Sequence, residues 1–250
     1  MKHVVAIIPA RGGSKGIPNK NLVDFCGKPL LAWTIRHALQ AQGVASVWVT
    51  SDSQAILDVA VSHGARPILR PDAISGDKAS SESAWIHALD WIERKEKTID
   101  LVLALQATSP LRESKDIEQG LKDFEKNGYD SLFSGAILED FLIWDRKKDG
   151  TLQSLNYNYL ERKPRQDHGT QYVENGSFYL FRPEILRASG NRMGGKIGIS
   201  LMEFWKSFEV DSIEGLEFCA ALMKHYRLDR ANATPAGERG EHGIVSSSLP

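Results

Sequence analysis

The sequence predicts a doubly wound α/β fold with a mostly parallel sheet, and three observations support it. Short, branched apolar runs such as Val4–Ile8 and Ile99–Leu105 are typical of strands that are buried on both faces. Segments with apolar residues at helical spacing follow these runs. The regular alternation of the two patterns indicates a parallel sheet covered by helices on both sides. Such a sheet binds ligands at the carboxyl ends of its strands, near the point where the strand order reverses.

Each predicted element has a local reason in the sequence. Pro29 suits the first turn of a helix, Ser53 can cap the next helix, and Gly64 can end it. A third helix can begin at Ser80 or Ser81. The sequence predicts the following further strands and helices: strands at Val44–Thr50, Pro67–Leu69, Ser131–Ser134 and Ser207–Val210, and helices at Asp116–Lys126 and Ser212–Tyr226.

The rhythm of the sequence changes between about residues 136 and 206. Short β-like runs, Phe141–Trp144 and Tyr172–Phe181, are mixed there with polar and basic stretches. This pattern predicts a small β-rich insertion, or dimerisation arm, within a single domain of residues 1–228. Residues 229–250 are rich in Ala, Gly, Glu and Ser, and they are predicted to form a flexible tail with little fold of its own.

Composition limits the possible classes of protein. The chain has 250 residues, of which 42% are hydrophobic, enough for one large domain with a substantial core. Its 31 basic and 32 acidic residues argue against a general nucleic-acid binder. Cys26 and Cys219 lie far apart and form no CxxC pair, which favours a reduced, cytosolic protein without a zinc site. No apolar run approaches the length of a membrane span, so we expect a soluble protein without membrane contact.

The loop from Pro9 to Asn21 follows the first predicted strand and has the character of a phosphate site. Its glycines allow backbone N–H groups to point into one cavity. Arg11 can bind a phosphate with two hydrogen bonds, and Lys20 adds a mobile positive charge. The loop contains neither the GxGxxG pattern of dinucleotide sites nor a P-loop. A flexible basic loop that binds nothing remains the alternative.

This opening resembles a known signature. The run Ile7–Pro18, with Lys20–Leu22 and Gly27–Leu30, is similar to the first motif of the CMP-sialic acid synthetases, or acylneuraminate cytidylyltransferases. The resemblance implies a Rossmann-like nucleotidyltransferase fold and a homodimer. It also implies an enzyme that uses Mg²⁺ to transfer CMP from CTP to a nine-carbon sugar acid. It carries over these residues as nucleotide ligands: Ala10, Arg11, Gly12, Gly13, Ser14, Lys20 and Asn21.

A second loop, Gln106–Arg112, follows the apolar strand Ile99–Leu105. Gln106 has both a donor and an acceptor, as reading a base edge or a sugar hydroxyl requires. An ordinary strand-to-helix turn is the alternative. The segment resembles the family motif Gln-Pro-Thr-Ser-Pro-Leu-Arg, with Ala107 in place of the first proline. The resemblance further implies that Gln106 contacts the sugar substrate, that Arg70 contacts the cytosine carbonyl, and that Ser81 lines the nucleotide site.

Two further segments carry the expected sugar contacts. On charge alone Arg162–Asp167 is a solvated basic hairpin, and Asn175-Gly176 is a turn signal typical of a plain β-hairpin. Together they resemble the Arg-Gln-Asp and Glu-Asn-Gly-Ser-Phe-Tyr runs of the family. The resemblance implies that the sugar acid contacts the following residues: Arg165, Gln166, Asn175 and Tyr179.

A pair of carboxylates, Glu209 and Asp211, follows the last predicted strand. Alternation along a strand would place them on one face, about 7 Å apart, where they could bind Mg²⁺. Alternatively, Asp211 caps the final helix, with Glu214 completing a capping box. The family usually has Asp-x-Asp here, so Asp211 is the better metal ligand and the geometry of Glu209 differs. With Arg11 and Lys20, Asp211 forms the expected catalytic set.

The sequence leaves two alternatives to a sialic-acid substrate. CMP could be transferred to KDO, pseudaminic acid or legionaminic acid, although the Asn-Gly-Ser-Phe-Tyr run resembles the sialic-type enzymes. In a different class, the chain could be a non-catalytic sensor of nucleotide, for which Glu209 in place of aspartate is the one indication.

Overall fold

A computed structural model of the chain describes residues 2–14, 16–76, 79–96, 98–138, 141–161 and 169–230. The strands are β1 Val4–Pro9, β2 Asp24–Phe25, β3 Lys28–Pro29, β4 Val44–Ser51, β5 Arg66–Leu69, β6 Leu101–Leu105, β7 Ser131–Ile137, β8 Trp144–Arg146, β9 Leu152–Ser154, β10 Tyr172–Phe181 and β11 Ile197–Leu201. The α-helices are α1 Leu30–Gln40, α2 Gln54–Ser62, α3 Ser81–Glu93, α4 Ser114–Asn127, α5 Pro183–Ser189 and α6 Ile213–His225.

A seven-stranded sheet in the order β11-β7-β10-β6-β1-β4-β5 forms the centre of the molecule. β1 pairs in parallel with both β4 and β6, β4 with β5, and β7 with β11. Only β10 runs antiparallel to its neighbours, β6 and β7. The predicted mostly parallel sheet is therefore confirmed. The chain moves from β1 outward to β5 and then returns to β6, so the strand order reverses beside β1.

Helices cover both faces of the sheet, as the sequence predicts. Alternate residues of β1 point to opposite sides: Ala6 and Ile8 join the cluster under α1, α2 and α4. Val5 and Ile7 join the cluster under α3 and α5. All four side chains are 0% exposed, which explains why this strand is an unbroken apolar run. A third cluster packs α6 against α1 through Trp33, beside the loop after β1.

The structure changes the boundaries of the predicted insertion. β10 is a central strand of the sheet, paired on both edges, and β11 lies at one edge. Only the small β8–β9 hairpin stands outside the main sheet in the described part of residues 136–206. The pattern of Asn175-Gly176 predicts a hairpin turn, whereas the structure has an irregularity of register between Glu174 and Tyr179 within β10. Local sequence could not reveal which distant strands β10 pairs with.

The predicted strand Ser207–Val210 is wrong. Phe204–Ser207 form a short 3-10 helix, and no strand follows it before α6. A backbone hydrogen bond, from the Val210 N–H to the Thr108 carbonyl oxygen at 2.8 Å, holds the segment against the loop after β6. The remaining predicted elements are present, with ends shifted by a few residues. Of the predicted tail, residues 231–250 lie outside the described part of the chain.

A buried lysine anchors the 3-10 helix to α4. The Lys206 side chain is 0% exposed, and its Nζ lies 2.9 Å from both Asp116 Oδ2 and Glu113 Oε2 and 3.0 Å from Glu203 Oε2. Burial opposes the charge of Lys206, but these carboxylates more than compensate and raise its pKa. The anchor fixes the segment that leads directly to Glu209 and Asp211.

None of the helices in the described ranges is long and apolar enough to cross a membrane.

We expect Lys206→Met to lower the free energy of unfolding by about 3–5 kcal/mol, because it leaves the buried Asp116 carboxylate unpaired. Lys115→Met is a matched control, since Lys115 pairs with Glu113 at 2.9 Å but its side chain is 57% exposed. That control should cost less than about 1 kcal/mol. Urea denaturation at pH 7 measures both values, and equal losses would contradict the anchoring role.

Candidate active site

The loops after β1, β5 and β6 surround a cavity of about 430 Å³ at the carboxyl ends of these strands. This is where the topology places a ligand, next to the reversal of strand order. The wall includes nine of the residues predicted from the sequence: Ala10, Arg11, Ser14, Lys20, Asn21, Arg70, Ser81, Gln106 and Asp211. Residues from four separate stretches of chain (9–21, 70–81, 106–108 and Asp211) thus meet in one concave surface.

The loop after β1 is held in place by its own polar groups and by β4. The Asn21 side-chain amide donates to the Arg11 carbonyl oxygen at 3.0 Å, and the Gly12 N–H donates to Asp52 Oδ1 at 2.9 Å. Gly12 and Gly13 are not part of the cavity wall. The nest predicted at these two glycines is therefore corrected at Gly12, whose N–H is already bonded within the protein.

Gly16 explains why this loop needs a third glycine. A Cβ atom at this position would collide with the backbone carbonyl oxygen of Asp211. The loop and the acidic segment therefore approach each other backbone to backbone, as only glycine allows. This close approach brings the Lys20 side chain to Asp211, whose Oδ1 lies 2.7 Å from Lys20 Nζ.

Arg70 is a buried cation on the opposite wall. The residue is only 6% exposed, its Nε donates to Ser75 Oγ at 3.1 Å, and one Nη lies 3.9 Å from Asp52 Oδ1. Burial lowers the pKa of Arg70, an effect that Asp52 opposes and Arg11 reinforces. An arginine that is desolvated yet lines a cavity favours a ligand that supplies acceptor oxygens.

Asp211 and Glu209 differ in their surroundings. The Asp211 side chain is 67% exposed at the cavity, and it does not cap α6, because Ser212 Oγ accepts from the Gly215 N–H at 3.1 Å. The alternative reading of Asp211 as a helix cap is therefore wrong. Glu209 lies deeper, and its Oε1 accepts from Ser109 Oγ at 2.9 Å. Burial raises the pKa of Glu209, against the hydrogen bond from Ser109, and the nearby Asp211 charge adds to the increase.

The two carboxylates are candidates for a metal, although they do not make a complete site by themselves. Within the described ranges no group of three or more His, Cys, Asp or Glu side chains could hold a metal ion. Mg²⁺ is commonly held by only one or two carboxylates together with water and substrate phosphates. An exposed Asp211 beside a half-buried Glu209 fits such an open arrangement.

The loop after β6 forms the floor of the cavity. Gln106, Ala107 and Thr108 belong to the wall, and the Gln106 carbonyl oxygen accepts from Thr34 Oγ1 at 3.3 Å. Ser109 is 1% exposed and points to Glu209. The polar residues of this loop therefore serve the cavity and the acidic pair, which an ordinary strand-to-helix turn would not require.

The structure differs from the prediction at Asn175 and Tyr179. Asn175 is 5% exposed, and its Oδ1 accepts from Ser134 Oγ at 2.6 Å. Tyr179 is 2% exposed; burial and a hydrogen bond to Glu174 raise its pKa well above the usual value. Both residues are committed to packing within the sheet, and neither belongs to the cavity wall. Arg165 and Gln166 lie outside the described residues.

Sequence reasoning missed three residues that shape the cavity. Asp52 Oδ1 accepts a hydrogen bond from the Gly12 N–H and forms an ion pair with the Arg70 guanidinium. Ser75 orients Arg70, and Thr108 belongs to the wall. Asp52 could have been found, because it directly follows β4 and the carboxyl ends of parallel strands share one edge of a sheet. Ser75 had no comparable signal.

Comparison with known proteins gives a consistent result. A family model described as cytidylyltransferase matches residues 5–232. N-acylneuraminate cytidylyltransferase A of Danio rerio is 36% identical over 78% of this chain and 45% of its own length. Pseudaminic acid cytidylyltransferase of Campylobacter jejuni is 30% identical over 90% of this chain and 97% of its own length.

One solved structure supports the fold. CMP:2-keto-3-deoxy-manno-octonic acid synthetase complexed with CTP has a TM-score of 0.68 at 19% identity, covering 90% of this chain and 100% of that chain. This chain spans about half the length of the Danio rerio relatives: it covers 45% of N-acylneuraminate cytidylyltransferase A and 52% of N-acylneuraminate cytidylyltransferase B. The match of the family model over nearly all the described residues decides the assignment. This chain belongs to the cytidylyltransferase family, as the motifs of its first two loops indicate.

Proposed function

We propose that this protein transfers CMP from CTP to the anomeric hydroxyl of a sialic-acid-type sugar acid and releases pyrophosphate. The observation that carries the proposal is the contact of Lys20 with Asp211, at 2.7 Å, on the wall of a cavity that also holds Arg11 and Arg70. Cations that suit a triphosphate and a carboxylate that suits a divalent metal thus share one cavity. The names of the relatives agree with this proposal.

The cationic residues would bind and orient the nucleotide. Arg11 and Lys20 neutralise the charge of the triphosphate, while the loop residues Ser14 and Asn21 hold it from the same side. Arg70, buried and fixed by Ser75, directs its guanidinium to the carbonyl oxygen of cytosine. Positioning and neutralisation of charge account for most of the rate enhancement in reactions at phosphorus, so few other groups are needed.

Asp211, with Glu209 behind it, would hold Mg²⁺. Bound there, the ion supplies Lewis-acid stabilisation of charge on the phosphate oxygens. In the reaction, the anomeric oxygen of the sugar forms a bond to the α-phosphorus, and the bond to pyrophosphate breaks in line with it. The hydroxyl proton passes to solvent. Lys20 balances the charge that develops on the departing pyrophosphate.

Pseudaminic acid is the second candidate for the acceptor. The pseudaminic acid relative matches over 97% of its own length, whereas the Danio rerio sialic acid relative matches over 45%. This difference in coverage favours pseudaminic acid over the other alternative acceptors. A release assay for pyrophosphate, with CTP, Mg²⁺ and a panel of acid sugars, tests it directly. Turnover of N-acetylneuraminic acid is expected, and binding of CTP without turnover of any acid would instead favour a sensor.

We also propose that the protein is a cytosolic homodimer. Its β8–β9 region exposes large apolar side chains that a lone chain in water would leave uncovered, among them Phe141, Trp144 and Leu160, which are 52%, 41% and 77% exposed. Cys26 and Cys219 are both free thiols, which is in keeping with a reducing compartment. A second copy of the chain packed against Phe141, Trp144 and Leu160 would cover this apolar surface.

We expect Asp211→Ala to reduce turnover by at least about 100-fold, a loss typical for removal of one essential electrostatic contact in an active site. The melting temperature should stay near that of the unmodified protein, because Asp211 is exposed and does not cap α6. Glu214→Gln is the control, since Glu214 is an exposed acid three residues further along and outside the cavity wall. Equal activity of the two variants would contradict the role given to Asp211.

We expect Leu160→Asp to shift the protein from dimer to monomer in sedimentation-velocity experiments, because a charge on an apolar interface must be desolvated. Val61→Asp is the control: Val61 is 55% exposed on α2, on a different part of the surface. A dimer that survives Leu160→Asp unchanged, or a protein that is monomeric from the start, would remove this part of the proposal.

A further inference from the structure

The irregularity in β10 forms a bulge at Asn175–Ser177, and the proposed mechanism assigns no role to this bulge. β10 pairs with β7 on both sides of it, but the register shifts between Glu174 and Tyr179. Gly176 lies at its apex with a φ of +66°, a conformation that favours glycine. Bulges often redirect side chains near active sites, so the contacts of this one are informative.

A buried arginine holds the bulge. Arg112 is 0% exposed; its Nη1 donates to the Ser177 carbonyl oxygen at 2.5 Å and to Ser177 Oγ at 3.0 Å. Its Nη2 donates to Thr34 Oγ1 at 2.9 Å, and Thr34 in turn donates to the Gln106 carbonyl oxygen. The Gln106 N–H also donates to the Ser177 carbonyl oxygen, at 3.3 Å. One guanidinium therefore ties the bulge to the loop that forms the cavity floor.

The apex of the bulge lies close to the side chains of Glu209 and Gln106. A Cβ atom at Gly176 would lie 2.6 Å from Glu209 Oε1 and 3.6 Å from Gln106 Nε2. The first distance is shorter than a non-bonded contact allows, so any larger residue would push the Glu209 carboxylate aside. Gly176 thus lies against the Glu209 carboxylate, whose Oε1 also accepts a hydrogen bond from Ser109 Oγ.

We propose that the bulge at Asn175–Ser177, fixed by the Arg112 guanidinium, is a positioning device that sets the place of the Glu209 carboxylate and of the Gln106 amide. This proposal rests on the proposed function, because it concerns the same cavity. Arg112 and Gly176 are positioning residues and touch no substrate. The missing Cβ at Gly176 leaves room for the Glu209 side chain.

The test compares Gly176→Ala with Gly190→Ala. Gly190 has the same φ of +66°, but a Cβ there would meet nothing within 4 Å. Both variants therefore place a side chain at the same positive φ, and we expect only Gly176→Ala to displace Glu209. Steady-state kinetics with CTP, binding of CTP by calorimetry without the sugar acid, and melting temperature are measured for each.

We expect Gly176→Ala to lower kcat by about 10- to 100-fold, since a displacement near 1 Å in an active site can cost about 100-fold. Affinity for CTP should change by less than about threefold, because Arg11, Lys20 and Arg70 are untouched. Gly190→Ala should retain kcat and share only the fall in melting temperature. Adding Glu209→Asp to Gly176→Ala shortens the displaced side chain and should restore part of the lost kcat.

The outcomes separate this proposal from the proposed function. If the unmodified protein releases no pyrophosphate with any acid sugar, the proposed function fails. If it is active but Gly176→Ala and Gly190→Ala retain the same kcat, the positioning device is refuted. The single variant Glu209→Asp is measured as well. If the kcat loss of the double variant equals the product of the losses in the two single variants, the effects are independent, and the positioning device is also refuted.

Discussion

The burial of β1 on both faces is the constraint on which the rest of the structure depends. Its apolar side chains leave no room for polar groups within the strand, so the first polar residues appear only where the strand ends. β6 is buried in the same way and runs parallel beside it. Two polar loops must therefore leave the sheet at one edge, and the cavity forms between them.

Much of this could be predicted from the sequence, and the reason is physical. A doubly buried strand leaves an unbroken apolar run, and the glycines and cations of the next segment stand out against it. The same local reasoning failed at Ser207–Val210 and at β10. In the first case Ser207 belongs to the 3-10 helix that the buried Lys206 fixes, and the residues after it form no strand before α6. In the second, pairing with β6 and β7 decides the structure, and no local pattern records such distant partners.

The site residues divide in the same manner. Loop residues such as Arg11, Lys20 and Gln106 lie on one cavity wall, because the chain delivers them directly from strand ends, and their roles as ligands stay predictions. Asn175 belongs to a recognisable motif, yet its side chain is a buried bond within the sheet. A motif marks a segment as important without saying which of its members face the ligand. Here Gly176 and Ser177, in the bulge of β10, lie against Glu209 and the Gln106 backbone, whereas Asn175 and Tyr179 are bonded within the sheet.

The bond between Lys20 and Asp211 joins residues 191 positions apart. On a ribosome, the basic loop therefore emerges from the exit tunnel long before its acidic partner has been translated. Gly16 also contacts this late segment, since its backbone packs against the carbonyl oxygen of Asp211. The cavity of the candidate active site is consequently complete only after Asp211 has been translated, so a nascent chain lacks this part of the wall until α6 begins to be made.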